Sequence, residues 1–99
     1  MTSSGTETTV WHAFYDVLRA YGMTTIFGNP GSTEQPMLKN FPDDFNYILC
    51  LQEASSVAMA DGYAQATRKP GVVSLHTSAG TGNGMASIMT AALNKTPLV

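Results

Sequence analysis

Three polar residues stand just after three apolar runs in this chain, and each has a side chain that could do chemistry. Ser32 follows "TTIFG" through the turn "NPG", Glu53 follows "YILCLQ", and His76 closes "VVSLH". A hydroxyl can hold a polar or anionic substrate group, and a carboxylate can hold or take a proton. An imidazole exchanges protons close to neutral pH. Each residue also has a structural reading. Glu53 in a first helical turn complements the helix dipole, worth about 0.3–1 kcal/mol, and taken alone that reading leads. Ser32 with Gln35 fits a capping box. Pro36 argues against it, because with Ser32 as cap the proline falls where an intrahelical N–H is first needed. A helix starting a residue or more later removes the conflict and releases the Ser32 hydroxyl. A histidine at a strand end is more often a satisfied structural group.

The elements that must position these residues follow from apolar spacing. Val10, Phe14, Val17, Leu18 and Tyr21 recur at helical intervals, which predicts a helix over 10–21 behind a polar leader, residues 1–9. Gly22 suits its C-terminal cap, and Met23 is placed to fold back on the last turn. "TTIFG" is a short strand, "TEQPMLKNF" a short helix or helical turn, and residues 47–51 a second strand. An alanine-rich helix spans 53–67 and stops at "RKPG". Its small residues (Ala54, Ala58, Ala60, Ala64) suit close packing against a neighbouring backbone. "VVSLH" is a third strand, "TSAGTGNG" reads as a glycine-rich loop, and Met85 to Leu93 as a helix with Met85, Ile88, Met89 and Ala92 on one face.

Strands alternating with helices, without two-residue hairpin turns, imply crossover connections and an open parallel sheet with flanking helices, an α/β fold. In such sheets ligands bind beyond the carboxyl ends of the strands. Topology alone therefore brings Ser32, Glu53 and His76 to one rim. "KTPLV" opens a fourth strand at which the chain stops, so residues 10–99 read as the first part of a longer domain.

Composition narrows the function classes. Lys+Arg 5 against Asp+Glu 7 leaves a formal net charge of -2, with no basic stripe for nucleic acid or anionic lipid. The charged fraction is 12%, against about 25% in ordinary soluble domains, which implies that part of the surface is covered by more chain or a partner subunit. One cysteine, Cys50, excludes an internal disulfide and a multi-cysteine zinc site, and its place in an apolar run reads as a buried thiol. No segment has the character of a signal peptide or a membrane span, so a cytoplasmic setting is the default. The loop "SAGTGNG" lacks both the G-x-G-x-x-G spacing and the P-loop lysine, and is a weak phosphate signal. His12, beside Trp11, reads as a surface or packing residue.

"FGNPGSTEQPMLKNF", "YILCLQEASSVAMADGYAQATRKPG" and "LHTSAGTGNGM" together resemble the N-terminal pyrimidine-binding domain of thiamine-diphosphate-dependent enzymes, in the benzoylformate decarboxylase group. The resemblance runs from about Val10 to Val99. It implies that Glu53 hydrogen-bonds the aminopyrimidine ring of the cofactor and promotes its imino tautomer. It implies that Ser32 and His76 hold the 2-oxo acid carboxylate and assist protonation, and that Pro30, Thr81 and Asn83 line the pyrimidine pocket. It further implies non-oxidative decarboxylation of a 2-oxo acid to an aldehyde. Mg2+ and the diphosphate would be bound by a domain absent from this chain, and a second subunit would complete the site in a homodimer or homotetramer. No metal ligand is expected among these residues, and the isolated chain is expected to be inactive. An acetolactate-synthase-like carboligase, an oxalyl-CoA-type lyase and a non-catalytic α/β interaction module are the rival readings.

Overall fold

The structure is a computed structural model and describes residues 9–99. The predicted leader lies outside the described residues except for Thr9, whose hydroxyl caps the first helix by accepting the His12 N–H at 3.1 Å. That helix, α1 (Val10–Ala20), ends as expected: Gly22 takes a left-handed φ of 71° and the Met23 N–H returns to the Leu18 carbonyl at 2.9 Å. Strands β1 (Thr25–Gly28), β2 (Asn46–Leu49) and β3 (Val72–Ser74) form one parallel sheet in the order β2-β1-β3. The two later strands are shorter than the apolar runs suggested. Leu51 is 90% exposed, so the chain leaves the sheet before it, and Leu75 and His76 already belong to the rim.

The expected fourth strand is present only as its first contact. Leu98 bridges in parallel to Gly71, and the Val73 N–H donates to the Val99 carbonyl at 2.9 Å, on the free side of β3. Gly71 is needed here. A Cβ on it would lie 2.7 Å from the Ala60 backbone oxygen, which cannot yield as a side chain could.

Successive residues of the central strand β1 serve opposite faces, as the strand period requires. Ile26 joins Tyr15, Leu18, Met23, Met37 and Phe45 beneath α1 and the short helix α2 (Gln35–Leu38). Phe27 joins Cys50 and Ala60 on the other face, beneath α3 (Glu53–Thr67). Cys50 is a buried thiol, as its sequence context indicated.

The glycine-rich segment is not a loop. It forms the first turns of α4 (Thr77–Leu93), which packs along α3. Glycine costs about 1 kcal/mol in a helix interior, and here packing outweighs that propensity. Gly80 and Gly84 are one turn apart and buried against α3, where a Cβ on Gly84 would sit 3.1 Å from Val57 Cγ2. The Ser87 hydroxyl fastens the pair by donating to the Ala54 carbonyl at 2.9 Å. Of the small residues read on α3, Ala54 meets α4 in this way, whereas Ala60 packs with Phe27 and Cys50 on the sheet side and Ala58 is exposed. Met85 and Met89, read as one face of a helix, lie on its exposed side.

Candidate functional site

Register brings the three strand ends level: Gly28 stands opposite both Leu49 and Ser74. The residues that follow each strand therefore gather at one rim, where ligands of parallel sheets bind. Within it the candidate residues form two clusters.

The first surrounds Glu53. This residue opens α3, with Gln52 as N-cap accepting the Ala54 N–H through its side-chain oxygen at 2.6 Å. The cap is thus supplied by Gln52, and the Glu53 carboxylate is directed elsewhere. Its Oε1 accepts the Asn83 amide at 3.2 Å from the second turn of α4. A Cβ on Gly80 would come within 3.5 Å of Glu53 Oε2, so the carboxylate lies along the glycine face of α4. Thr81 is in the same turn, exposed, with its hydroxyl donating back to the Thr77 carbonyl at 3.1 Å. Thr81 and Asn83 are thus helical residues, not loop residues. That change fixes Asn83 against Glu53 instead of leaving it on a mobile segment.

The second cluster surrounds His76 and contains a residue that sequence reasoning missed. The His76 Nδ1 lies 3.0 Å from Glu34 Oε1 and 3.2 Å from Oε2. Glu34 Oε1 also accepts the Gly31 N–H at 2.6 Å. The Glu34 side chain is only 13% exposed, so its charge is held by these donors and not by water. The imidazole lies against Gly31: a Cβ there would fall within 2.6 Å of Cε1, Nδ1 and Nε2. The signal for Glu34 was available in "GSTE", a capping-box spacing one residue earlier than Ser32 with Gln35. A short 3-10 turn, Ser32–Glu34, uses that spacing, and α2 begins at Gln35 with Pro36 at its tolerated second position. The later helix start anticipated from Pro36 is therefore observed.

Ser32 shares this turn but does not join either cluster by a hydrogen bond among the described residues. It is exposed and borders a hollow with Gln35, Pro36, Leu38 and Lys39. Pro30 is half-buried in the same β1 exit loop.

Two features beneath the rim complete its geometry. Thr77, directly after His76, has a φ of 59°, a left-handed conformation that a β-branched residue adopts only under constraint. The Tyr47 hydroxyl is buried against Gly28 and lies beside Ser74 without a hydrogen bond of regular geometry. Burial, with the nearby Glu34 charge second, pushes its pKa up to about 12.

The donor set around Glu53 is a carboxylate acceptor and an amide on a face kept clear by glycine. Over residues 8–99 the chain matches the family described as thiamine pyrophosphate enzyme, N-terminal TPP binding domain. The chain belongs to this family. It is 55% identical over 91 residues to benzoylformate decarboxylase of Pseudomonas aeruginosa, covering 92% of this chain and 17% of that protein. Against the mitochondrial acetolactate synthase catalytic subunit of Aspergillus candidus the identity is 35% over 88 residues, covering 87% and 13%. The crystal structure of benzoylformate decarboxylase from Polynucleobacter necessarius superposes with a TM-score of 0.88 at 58% identity, over 91% of this chain and 17% of that one. The chain thus spans about a sixth of the length of these relatives. Its parallel sheet with flanking helices is the fold of their N-terminal domain.

A carboxylate backed by an amide fits the ring nitrogens and amino group of an aminopyrimidine. Among the described residues no three His, Cys, Asp or Glu side chains gather to hold a metal ion. Among them, too, no helix is long and apolar enough to cross a membrane.

Proposed function

We propose that this segment supplies the pyrimidine side of the active site in a thiamine-diphosphate-dependent 2-oxo acid decarboxylase acting on benzoylformate or a close aryl analogue. The observation that carries the reading is the Glu53 carboxylate at the sheet rim, held by Asn83 at 3.2 Å, in a chain 55% identical to a benzoylformate decarboxylase. When bound, the cofactor supplies the electron sink for loss of carbon dioxide. Glu53 would hold the ring N–H of the aminopyrimidine and so bias its amino group toward the imino form. Asn83 would orient that carboxylate, while Pro30 and Thr81 border the ring. His76 would hold the substrate carboxylate and hand a proton to the product carbon, with the Ser32 hydroxyl as a second polar contact.

Support for a second subunit comes from the exposed side of the α3–α4 layer. Met85, Met89 and Leu93 of α4 are exposed there, Leu93 at 83%. In a chain with 12% charged residues this is the surface that a homodimeric or homotetrameric contact would cover. Mg2+ and the diphosphate would be held by residues of another domain. Of the rival activities, the carboligase reading has the weaker support, 35% identity to an acetolactate synthase.

The test is carbon dioxide release from benzoylformate. A full-length enzyme carrying this segment is expected to decarboxylate it only with thiamine diphosphate and Mg2+, and the 99-residue chain alone is expected to release none. Activity without the cofactor, or activity of the isolated chain, would refute the proposal.

A further inference from the structure

We propose that Glu34 is a positioning residue that keeps a proton on His76 Nδ1, so that Nε2 is the nitrogen that gains and gives up a proton: protonated, it can hold a carboxylate and pass that proton on, and once neutral the ring is the Nδ1–H tautomer. The inference rests on the decarboxylase reading for its functional meaning, but its physical basis is independent of it. Glu34 Oε1 and Oε2 lie 3.0 and 3.2 Å from His76 Nδ1, and a carboxylate can only accept there. The proton between them must therefore sit on Nδ1, as in the carboxylate–histidine pairs that orient imidazoles in other sites. Glu34 cannot turn away easily, because Oε1 also holds the Gly31 N–H at 2.6 Å and the side chain is 13% exposed.

The ring is confined from two more sides. Gly31 lets the imidazole lie flat against the backbone, where a Cβ would come within 2.6 Å of three ring atoms. Thr77 holds a left-handed φ of 59° immediately after His76, a strain that persists only where surrounding structure imposes it. The strand exit at Gly31 and the helix entry at Thr77 thus clamp one imidazole between them, and Glu34 decides which nitrogen carries its proton. A free imidazole favours the opposite tautomer, so the arrangement has a spectroscopic signature.

The tautomer is read from long-range 1H–15N correlation spectra of the 99-residue chain with 15N-labelled histidine, at a pH where both histidines are neutral. The His12→Gln variant assigns the two rings. His76 is expected to show Nδ1 at the pyrrole-type shift of a protonated nitrogen and Nε2 at the pyridine-type shift. Glu34→Gln, whose amide can donate to Nδ1 while its oxygen still accepts from Gly31, is expected to exchange the two assignments. A glutamate that merely capped the turn would leave them unchanged in that variant, which would overturn the proposal. Nε2 protonation in the unaltered chain would overturn it as well, whether or not the glutamine variant folds. Neither result would touch the decarboxylase reading, which fails instead if the full-length enzyme releases no carbon dioxide.

Discussion

At the scale of the residue, Glu53 and Glu34 are two carboxylates that each meet a side chain from a distant part of the chain. Glu53 was legible because it stood at a strand-to-helix joint; it keeps its place in the first turn of α3, where it complements the helix dipole, while its Oε1 also accepts the Asn83 amide. Glu34 was legible only as a local capping partner of Gly31; its pairing with His76, 42 positions away, is reported by no local spacing. Its presence has a further electrostatic effect. Tyr47 has a pKa raised to about 12 by burial and, second, by the Glu34 charge. A raised folded-state value means that the native protein keeps its phenolic proton longer than the unfolded chain, whose tyrosines titrate near ~10. The stability this provides is complete below about pH 10 and is lost as pH rises through about 12. Alkaline unfolding followed by circular dichroism is expected to fall off over that window, and less steeply in Tyr47→Phe. An identical alkaline profile in the two proteins would contradict this assignment.

At the scale of the element, apolar spacing located α1, apolar runs located the three strands, and the bounds of the alanine-rich α3 coincide with the predicted 53–67. What it could not weigh was packing. "TSAGTGNG" carries three glycines and reads as a loop by propensity, yet it is helical because Gly80 and Gly84 let α4 approach α3. The strand ends were overestimated for a related reason, since apolar residues such as Leu51 continue past the last ladder bond. The junction of β3 and α4 holds the clearest local conflict. Thr77 is β-branched at a φ of 59°, where glycine is favoured. Thr77→Gly removes roughly 1–2 kcal/mol of left-handed strain and returns roughly half of that as unfolded-state entropy. A net gain of about 0.5–1 kcal/mol is expected, seen as a higher midpoint in urea at unchanged slope. A lower midpoint would show that the conformation is not strained.

At the scale of the whole molecule, the parallel α/β sheet was legible from the alternation of elements, and the rim followed from topology before any contact was known. Ser32 was legible only as a member of the rim, and among the described residues its hydroxyl joins neither cluster by a hydrogen bond. In the proposed reading the rim carries a carboxylate and an amide for a pyrimidine and an imidazole for a substrate. The central claim is that Glu53 activates the cofactor from this side. Hydrogen–deuterium exchange at the thiazolium C2 of bound thiamine diphosphate measures that activation directly, in a full-length enzyme carrying this segment. Glu53→Gln keeps the size of the side chain and removes its charge. It is expected to slow the exchange by about 10²–10⁴-fold, the range for a lost acid–base group. Exchange at the unaltered rate, with cofactor still bound, would contradict the account.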